Sequence, residues 1–295
     1  MNLKRNHLSQ IPLVVFFTLL CALVIIPFLM LVSVSVSNEA DIADFGYRLI
    51  PKRIDFSAYE YIFQNPTAII NAYKTTTLYS VLGTFLCVLV QAMCAFPISR
   101  RNLKGRKAIS FYLYFTMLFS GGLVPSFILI TQYLHLNDTI WVYILPMLVN
   151  PWNVFMMRTF FAGLPEEMFE SMMIDGASVY NMFWKSVLPL SKPVLATVAL
   201  LTFLGKWNDW NTAMLYINKE ELMSLQYLLQ RIMNNLKLLQ DMSAQGMGVS
   251  TGGVSIPSET VRMAMAIVLA GPALIVFPFF QKYFVKGLTV GSVKG

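Results

Sequence analysis

Six apolar runs, each long enough to cross a bilayer, confine this chain to a polytopic membrane fold. They cover about 11–36, 73–98, 108–134, 139–162, 192–217 and 259–281. Crossing about 30 Å of hydrocarbon at 1.5 Å per residue takes about 20 helical residues. Inside that layer every backbone N–H and C=O must be satisfied within the protein, and uniformly apolar runs of this length do so as helices. Composition agrees: 56% of the 295 residues are hydrophobic and 13% charged, where a soluble domain carries about 25% charged. The expected fold class is an all-α membrane protein with six transmembrane helices, organised as one transmembrane domain over 1–295. The first run is too long for the core of a signal peptide and no small-residue cleavage site follows it, so it reads as a retained helix.

The net charge of +7 first suggests an anionic partner such as nucleic acid, but its distribution follows topology. If the N-terminus is inside, 13 of the 22 basic residues fall on inner segments. Arg100, Arg101, Lys104, Arg106 and Lys107 crowd the short loop 99–107, and short loops beside span ends set orientation. Both termini then face the cytoplasm, residues 38–72 and 218–258 lie outside, and the segment 163–191 lies inside. No nucleic-acid partner is implied.

Several runs contain helix breakers: Phe96-Pro97, Gly121-Gly122-Leu123-Val124-Pro125, Leu145-Pro146, Asn150-Pro151 and Gly271-Pro272. In a membrane these survive where neighbouring helices, side chains or water satisfy the freed backbone, which predicts kinked helices around a cavity. Lys206 lies well inside the fifth run, within Gly205-Lys206-Trp207-Asn208-Asp209-Trp210-Asn211. A charge at that depth costs from about 2.5 to more than 10 kcal/mol, so it must face protein or water. Lys206 and Asp209 are spaced to pair on one helix face. Tryptophan faces beside the amides of Asn208 and Asn211 suit a sugar, whose ring has apolar C–H faces and a hydroxyl rim. Interhelical polar contacts or an interfacial aromatic belt would use the same residues.

The inner segment 163–191 is built like two short helices with an elbow between them. Pro165 suits a first helical position, and Glu166 and Glu167 favour the positive end of a helix dipole. Met168/Met172 and Phe169/Met173 are spaced i,i+4 and form an apolar strip. Gly176 can take the left-handed turn that ends a helix, Ser178 can cap the next one, and Pro189 closes it. An apolar strip outside the bilayer calls for a docked partner.

This elbow resembles the EAA loop of permease subunits in ATP-binding-cassette importers, whose pattern is Glu-Ala-Ala, three residues, Gly, nine residues, Ile-x-Leu-Pro. Glu170, Gly176 and Leu188-Pro189 fall in register, with Asp175 before the glycine. Ser171 and Met172 replace the two alanines, and Ser186 stands at the isoleucine. The likeness extends to Phe119-Ser120-Gly121-Gly122-Leu123-Val124-Pro125, Arg158-Thr159-Phe160-Phe161, Leu188-Pro189-Leu190-Ser191-Lys192-Pro193, Trp207-Asn208-Asp209-Trp210 and the stretch Pro278 to Gly287. Together these resemble carbohydrate-importer permeases related to the maltose-transporter pair, and within them the LplC/YtcP-type subunits.

The resemblance implies a type I importer permease in a bacterial plasma membrane, multi-pass, with a cytoplasmic coupling elbow. It implies a second homologous permease, two cytoplasmic ATPase subunits and an extracellular or periplasmic sugar-binding protein. ATP would be bound by the ATPase subunits and no cofactor by this chain. Glu170, Asp175, Gly176, Ala177 and Ser178 would dock the ATPase. Lys206, Trp207, Asn208, Asp209, Trp210 and Asn211 would line the path of a sugar moved by alternating access.

Outside, Leu222, Leu225, Leu229, Ile232, Met233, Leu236 and Leu239 recur at helical spacing, followed by a small-residue tip containing Gly246, Gly248, Gly252 and Gly253. The tip is either an ordinary loop or, by the resemblance, a probe of the binding protein's sugar site. Cys21, Cys87 and Cys94 lack metal-ligand spacing and read as packing residues. The glycine-containing tail Gly287–Gly295 lacks the Gly-Lys-Ser/Thr of a phosphate-binding loop, and no catalytic constellation occurs, so no enzyme is expected. The alternative from another class is an ion- or proton-coupled carrier using Lys206 and Asp209.

Overall fold

The computed structural model describes residues 7–244 and 259–291. Among them the chain is helical, with a single isolated bridge between Ser37 and Ile54 in place of any sheet. The helices are α1 (His7–Ser35), α2 (Glu39–Phe45), α3 (Ser57–Ile62), α4 (Pro66–Ser99), α5 (Arg106–Leu118), α6 (Leu123–Ile128), α7 (Pro151–Ala162), α8 (Glu166–Ile174), α9 (Val179–Met182), α10 (Leu188–Leu190), α11 (Lys192–Trp207), α12 (Asn211–Tyr216), α13 (Leu225–Ala244) and α14 (Glu259–Gly291). They form two compact units, one from Met1–Pro66 with Leu229–Gly271, the other from Thr67–Leu228 with Pro272–Gly295.

Among the described residues, two helices are long and apolar enough to cross a membrane alone, Ile11–Ser35 and Pro66–Ser99. The third and fifth predicted spans are broken rather than straight. Arg106–Leu118 and Leu123–Tyr133 meet at 112°, because Ser120-Gly121-Gly122 interrupts the ladder and Gly122 sits at φ +86°, where only glycine is unstrained. Lys192–Trp207 meets the elbow's second arm at 79° and stops at Asn208, after which α12 resumes. The fourth run, 139–162, is not one helix. It is a 3-10 turn over Ile140–Tyr143 and then α7 of 12 residues, started by Pro151 with the Asn150 side chain accepting from Trp152 and Asn153 N–H. Pro146 and Pro151 each remove a backbone donor and weaken the ladder there, and the helix restarts at Pro151, where no donor is needed.

In the first unit, residues 38–55 make a polar knot that holds the start of α14. Asn38 caps α2 and donates to Asp55 at 2.8 Å. Arg53 grips Asp41 with two hydrogen bonds, at 2.9 and 2.7 Å, which holds the Asp41 carboxyl below the usual carboxylate range. The Glu39 carboxylate accepts from the backbone N–H of Glu259 and Thr260, each at 3.0 Å, and from the Thr260 hydroxyl at 2.7 Å. A carboxylate across otherwise unpaired first-turn amides is the arrangement a helix N-terminus favours.

In the second unit α4 is the hub. Ala72, Thr76, Tyr79, Gly83, Cys87, Gln91, Ala95 and Ile98 recur every three or four residues and are buried. Most are small and leave room for side chains from neighbouring elements. At Gly83 that side chain is Lys206: a Cβ there would lie 2.9 Å from its Cε. Among the described residues, one core packs against the middle of α4 and another against its last turns. One gathers Tyr79, Tyr143, Ile144, Ala213 and Met223. The other gathers Phe96, Ile98, Met157, Phe161, Phe169, Phe183 and Val187, and it carries the elbow. Of the cysteines, Cys87 is buried as packing predicts, whereas Cys21 and Cys94 are exposed.

Candidate functional site

The elbow is built by local bonds legible in its residues. α8 ends at Asp175, and Gly176 follows at φ +75°. Gly176 N–H donates to the Met173 carbonyl at 3.0 Å, and Ala177 N–H to the Met172 carbonyl at 2.9 Å. This paired closure satisfies carbonyls that a helix end leaves orphaned. Ser178 then caps the next arm, accepting from Asn181 N–H at 3.3 Å. Two proline expectations need correction. Pro165 occupies the cap position, one residue before the helix. Pro189 does not end the second arm, which runs through a π-turn at Phe183–Val187 into Leu188–Leu190 and breaks at Ser191. The wider turn admits a residue without N–H.

The apolar strip divides in two. Phe169 is buried, and Met168 and Met172 pack beside it in the chain's own core. Phe169 stacks on Phe96 with centroids 6.2 Å apart, and the Arg100 guanidinium lies 3.7 Å above its ring. Arg100 also pairs with Glu166 at 3.1 Å. The basic loop therefore clamps the elbow, a role its short, charge-dense sequence hid behind topology. Other apolar residues of the elbow stay outside that core: Met173, Ile174, Val179 and Tyr180 are more than half exposed, Ile174 at 86%. Glu170, Asp175, Gly176 and Ser178 are exposed beside them and Ala177 is half-buried.

Two departures from the family pattern touch each other. The Ser186 hydroxyl donates to Met172 Sδ at 3.1 Å. A long residue where the pattern has alanine fills the room left by a small one where it has isoleucine. Met172→Ala alone is expected to destabilise the purified protein by about 1–3 kcal/mol, and adding Ser186→Ile to recover at least half of that. A thermal-unfolding double-mutant cycle with strictly additive effects would contradict the coupling.

The second candidate region surrounds Lys206. Its ammonium is buried and donates to the Tyr143 carbonyl at 2.8 Å. The expected Lys206–Asp209 pair is not formed: among the described residues the ion pairs are Arg53–Asp41, Arg100–Glu166 and Arg262–Glu259. Asp209 instead accepts the Thr212 N–H at 3.0 Å where α12 begins, since the helix stops at Asn208 and the i,i+3 geometry is lost. Tyr79 stacks on Tyr143 at 4.2 Å and donates its hydroxyl to the Lys206 carbonyl at 3.1 Å.

A cavity of about 300 Å³ opens beside Lys206, lined among others by Gln91, Asn150, Trp152, Asn153 and Thr202. Of the residues expected along the path only Lys206 borders it. Trp207 is buried against Phe203, Asn208 donates to its own helix at Leu204, and Trp210 and Asn211 are exposed elsewhere. The cavity amides were missed although Gln91, a lone amide in an apolar run, was the available signal. Its Nε2 donates to the Leu148 carbonyl at 3.0 Å while its buried Oε1 has no partner. The tip residues Gly246, Gly248, Gly252 and Gly253 lie outside the described residues.

Residues 64–290 match the family described as binding-protein-dependent transport system inner membrane component. The chain belongs to that family. This permease is 36% identical over 294 residues to protein LplC of Bacillus subtilis, covering all of this chain and 97% of the relative. It is 35% identical over 292 residues to the polygalacturonan/rhamnogalacturonan transport system permease protein YtcP of the same organism, covering 99% of this chain and all of the relative. A bacterial ABC transporter involved in import of the acidic polysaccharide alginate supplies a structural likeness, with TM-score 0.78, 27% identity, and coverage of 96% of this chain and 99% of that one. These relatives are transport permeases, and the chain is a permease rather than an enzyme.

Proposed function

We propose that this permease is one half of the transmembrane passage of an ATP-driven importer of oligosaccharides in a bacterial plasma membrane. The observation that carries the coupling is the exposed Met173–Ile174–Val179–Tyr180 face on a rigidly closed elbow. Apolar side chains held outside the bilayer in one patch mark a protein contact. A groove in a cytoplasmic ATPase subunit takes this face, Glu170, Asp175 and Ser178 line its polar edge, and Gly176 and Ala177 hold the turn. Closure of two ATPase subunits on ATP moves this elbow and that of a second, homologous permease, so the passage alternates between inside and outside. Both termini face the ATPases, and a sugar-binding protein delivers cargo from the other side.

The cavity beside Lys206 supports the cargo assignment. Gln91, Asn150 and Asn153 offer amides and Trp152 an indole face, the chemistry that hydroxyl rims and C–H faces of a sugar require. Relatives named for polygalacturonan/rhamnogalacturonan transport and for alginate import support oligomers, acidic ones included. The test is uptake of labelled oligogalacturonides and arabino-oligosaccharides into vesicles holding the full transporter and its binding protein. Accumulation that requires ATP and persists after collapse of ion gradients is expected. Uptake that follows an ion gradient without ATP would overturn the proposal in favour of a coupled carrier.

A further inference from the structure

A second cavity, of about 690 Å³, lies where the start of α5 meets the last turns of α7. Arg101, Arg106, Lys107 and Arg158 line it together with Leu103, Gly105 and Ser110, and no acidic side chain does. None of these four cations joins an ion pair among the described residues. Two further features call for an anion there. α5 starts on Gly105, which has no side chain to cap its first turn, and that turn carries Arg106 and Lys107 and no acid. Cations at the positive end of a helix dipole are unfavourable until an anion sits between them. The Ser110 hydroxyl is buried at the cavity wall without a hydrogen-bond partner.

The remainder of α5 decides what kind of anion. From the basic end, Phe111, Tyr112, Phe115 and Leu118 continue along the helix with their side chains exposed, Phe111 at 68% and Tyr112 at 67%. A free phosphate would use only the basic end. A molecule with a phosphate head and long apolar chains would use both. Basic pockets between membrane helices take anionic headgroups in this way. We infer that this cavity binds the phosphate of an anionic phospholipid whose acyl chains lie along the exposed face of α5. The bound lipid neutralises the crowded cations beside the Arg100 clamp and so steadies the loop on which the elbow rests. The inference stands on the cavity and the exposed face of α5 together and holds whatever the transported cargo.

The experiment is native mass spectrometry of the full-length protein in mild detergent, with phosphatidylglycerol or phosphatidylcholine added. Arg101 and Lys107 are exposed, so the Arg101→Gln/Lys107→Gln variant keeps the fold. Lys104→Gln removes a charge from the same loop that does not line the cavity. At about fivefold per cation, phosphatidylglycerol binding is expected to weaken about 25-fold in the double variant and to stay unchanged in Lys104→Gln. Wild-type protein should prefer phosphatidylglycerol to phosphatidylcholine, and millimolar inorganic phosphate should not displace it. Equal retention of the two lipids, equal loss in Lys104→Gln, or displacement by inorganic phosphate alone would each overturn the lipid assignment. So would loss of the bound lipid when the complete transporter is assembled, which would assign this face to the partner permease.

Discussion

Gly176→Pro is expected to abolish ATP-dependent uptake while the protein still inserts in the membrane. Gly176 sits at φ +75°, and proline holds φ near −65°. The substitution also deletes the N–H that donates to the Met173 carbonyl at 3.0 Å. The turn between α8 and α9 therefore cannot close as Gly176 closes it, and the exposed Ile174 and Val179 on either side of it are displaced. Gly176→Ala is the graded control. Nothing lies within 4 Å of a Cβ at that position, so alanine meets only the backbone strain of a left-handed residue, about 1–2 kcal/mol, and most uptake should survive. Both variants are read by vesicle uptake normalised to membrane abundance. Normal transport by the proline variant would remove the elbow from the coupling path.

Phe169→Ala and Ile174→Ala should fail in opposite ways, because these residues occupy opposite faces of α8. Phe169 is 1% exposed, stacked on Phe96 and covered by the Arg100 guanidinium. Truncating a fully buried phenylalanine costs about 3–5 kcal/mol, so the purified permease alone should lose thermal stability. Ile174 is 86% exposed and makes no comparable contribution to this chain's own packing. Its truncation should leave stability within about 0.5 kcal/mol of wild type while weakening ATPase binding and uptake. Equal stability losses in the two variants would mean that the exposed face is not the docking face.

The elbow was legible because its instructions are local. A glycine and a capping serine act within a few residues of themselves, and Gly176 closes α8 and Ser178 caps the next arm as their positions imply, whereas Phe169 of the i,i+4 strip packs in the chain's own core. Which side of the strip faces outward was not legible, since Phe169 and Met173 differ only in what α4 brings against them. The apolar runs likewise announced membrane helices, and the breaker Gly121-Gly122 predicts the kink in 108–134, where the helices on either side meet at 112°. The interruption of 192–217 after Trp207, with α12 starting at Asn211, was not announced in this way. Periodicity reports a local repeat, and a bend is decided by tertiary partners for the freed backbone. The Lys206–Asp209 pairing failed for the same reason: i,i+3 spacing brings two side chains together only while the helix continues between them. Glu39, which caps a helix more than two hundred positions away, left no trace in local sequence at all.

The proposed docking of the elbow on a separate ATPase is open to direct capture. The most direct measurement is site-specific crosslinking from Ile174→Cys in native membranes, with mass spectrometry of what is captured and of what co-purifies in mild detergent. A cytoplasmic ATPase crosslinked at that position and a second permease of the same family in the complex are expected. Recovery of this chain alone, uncrosslinked and stable as a monomer or homodimer, would contradict it.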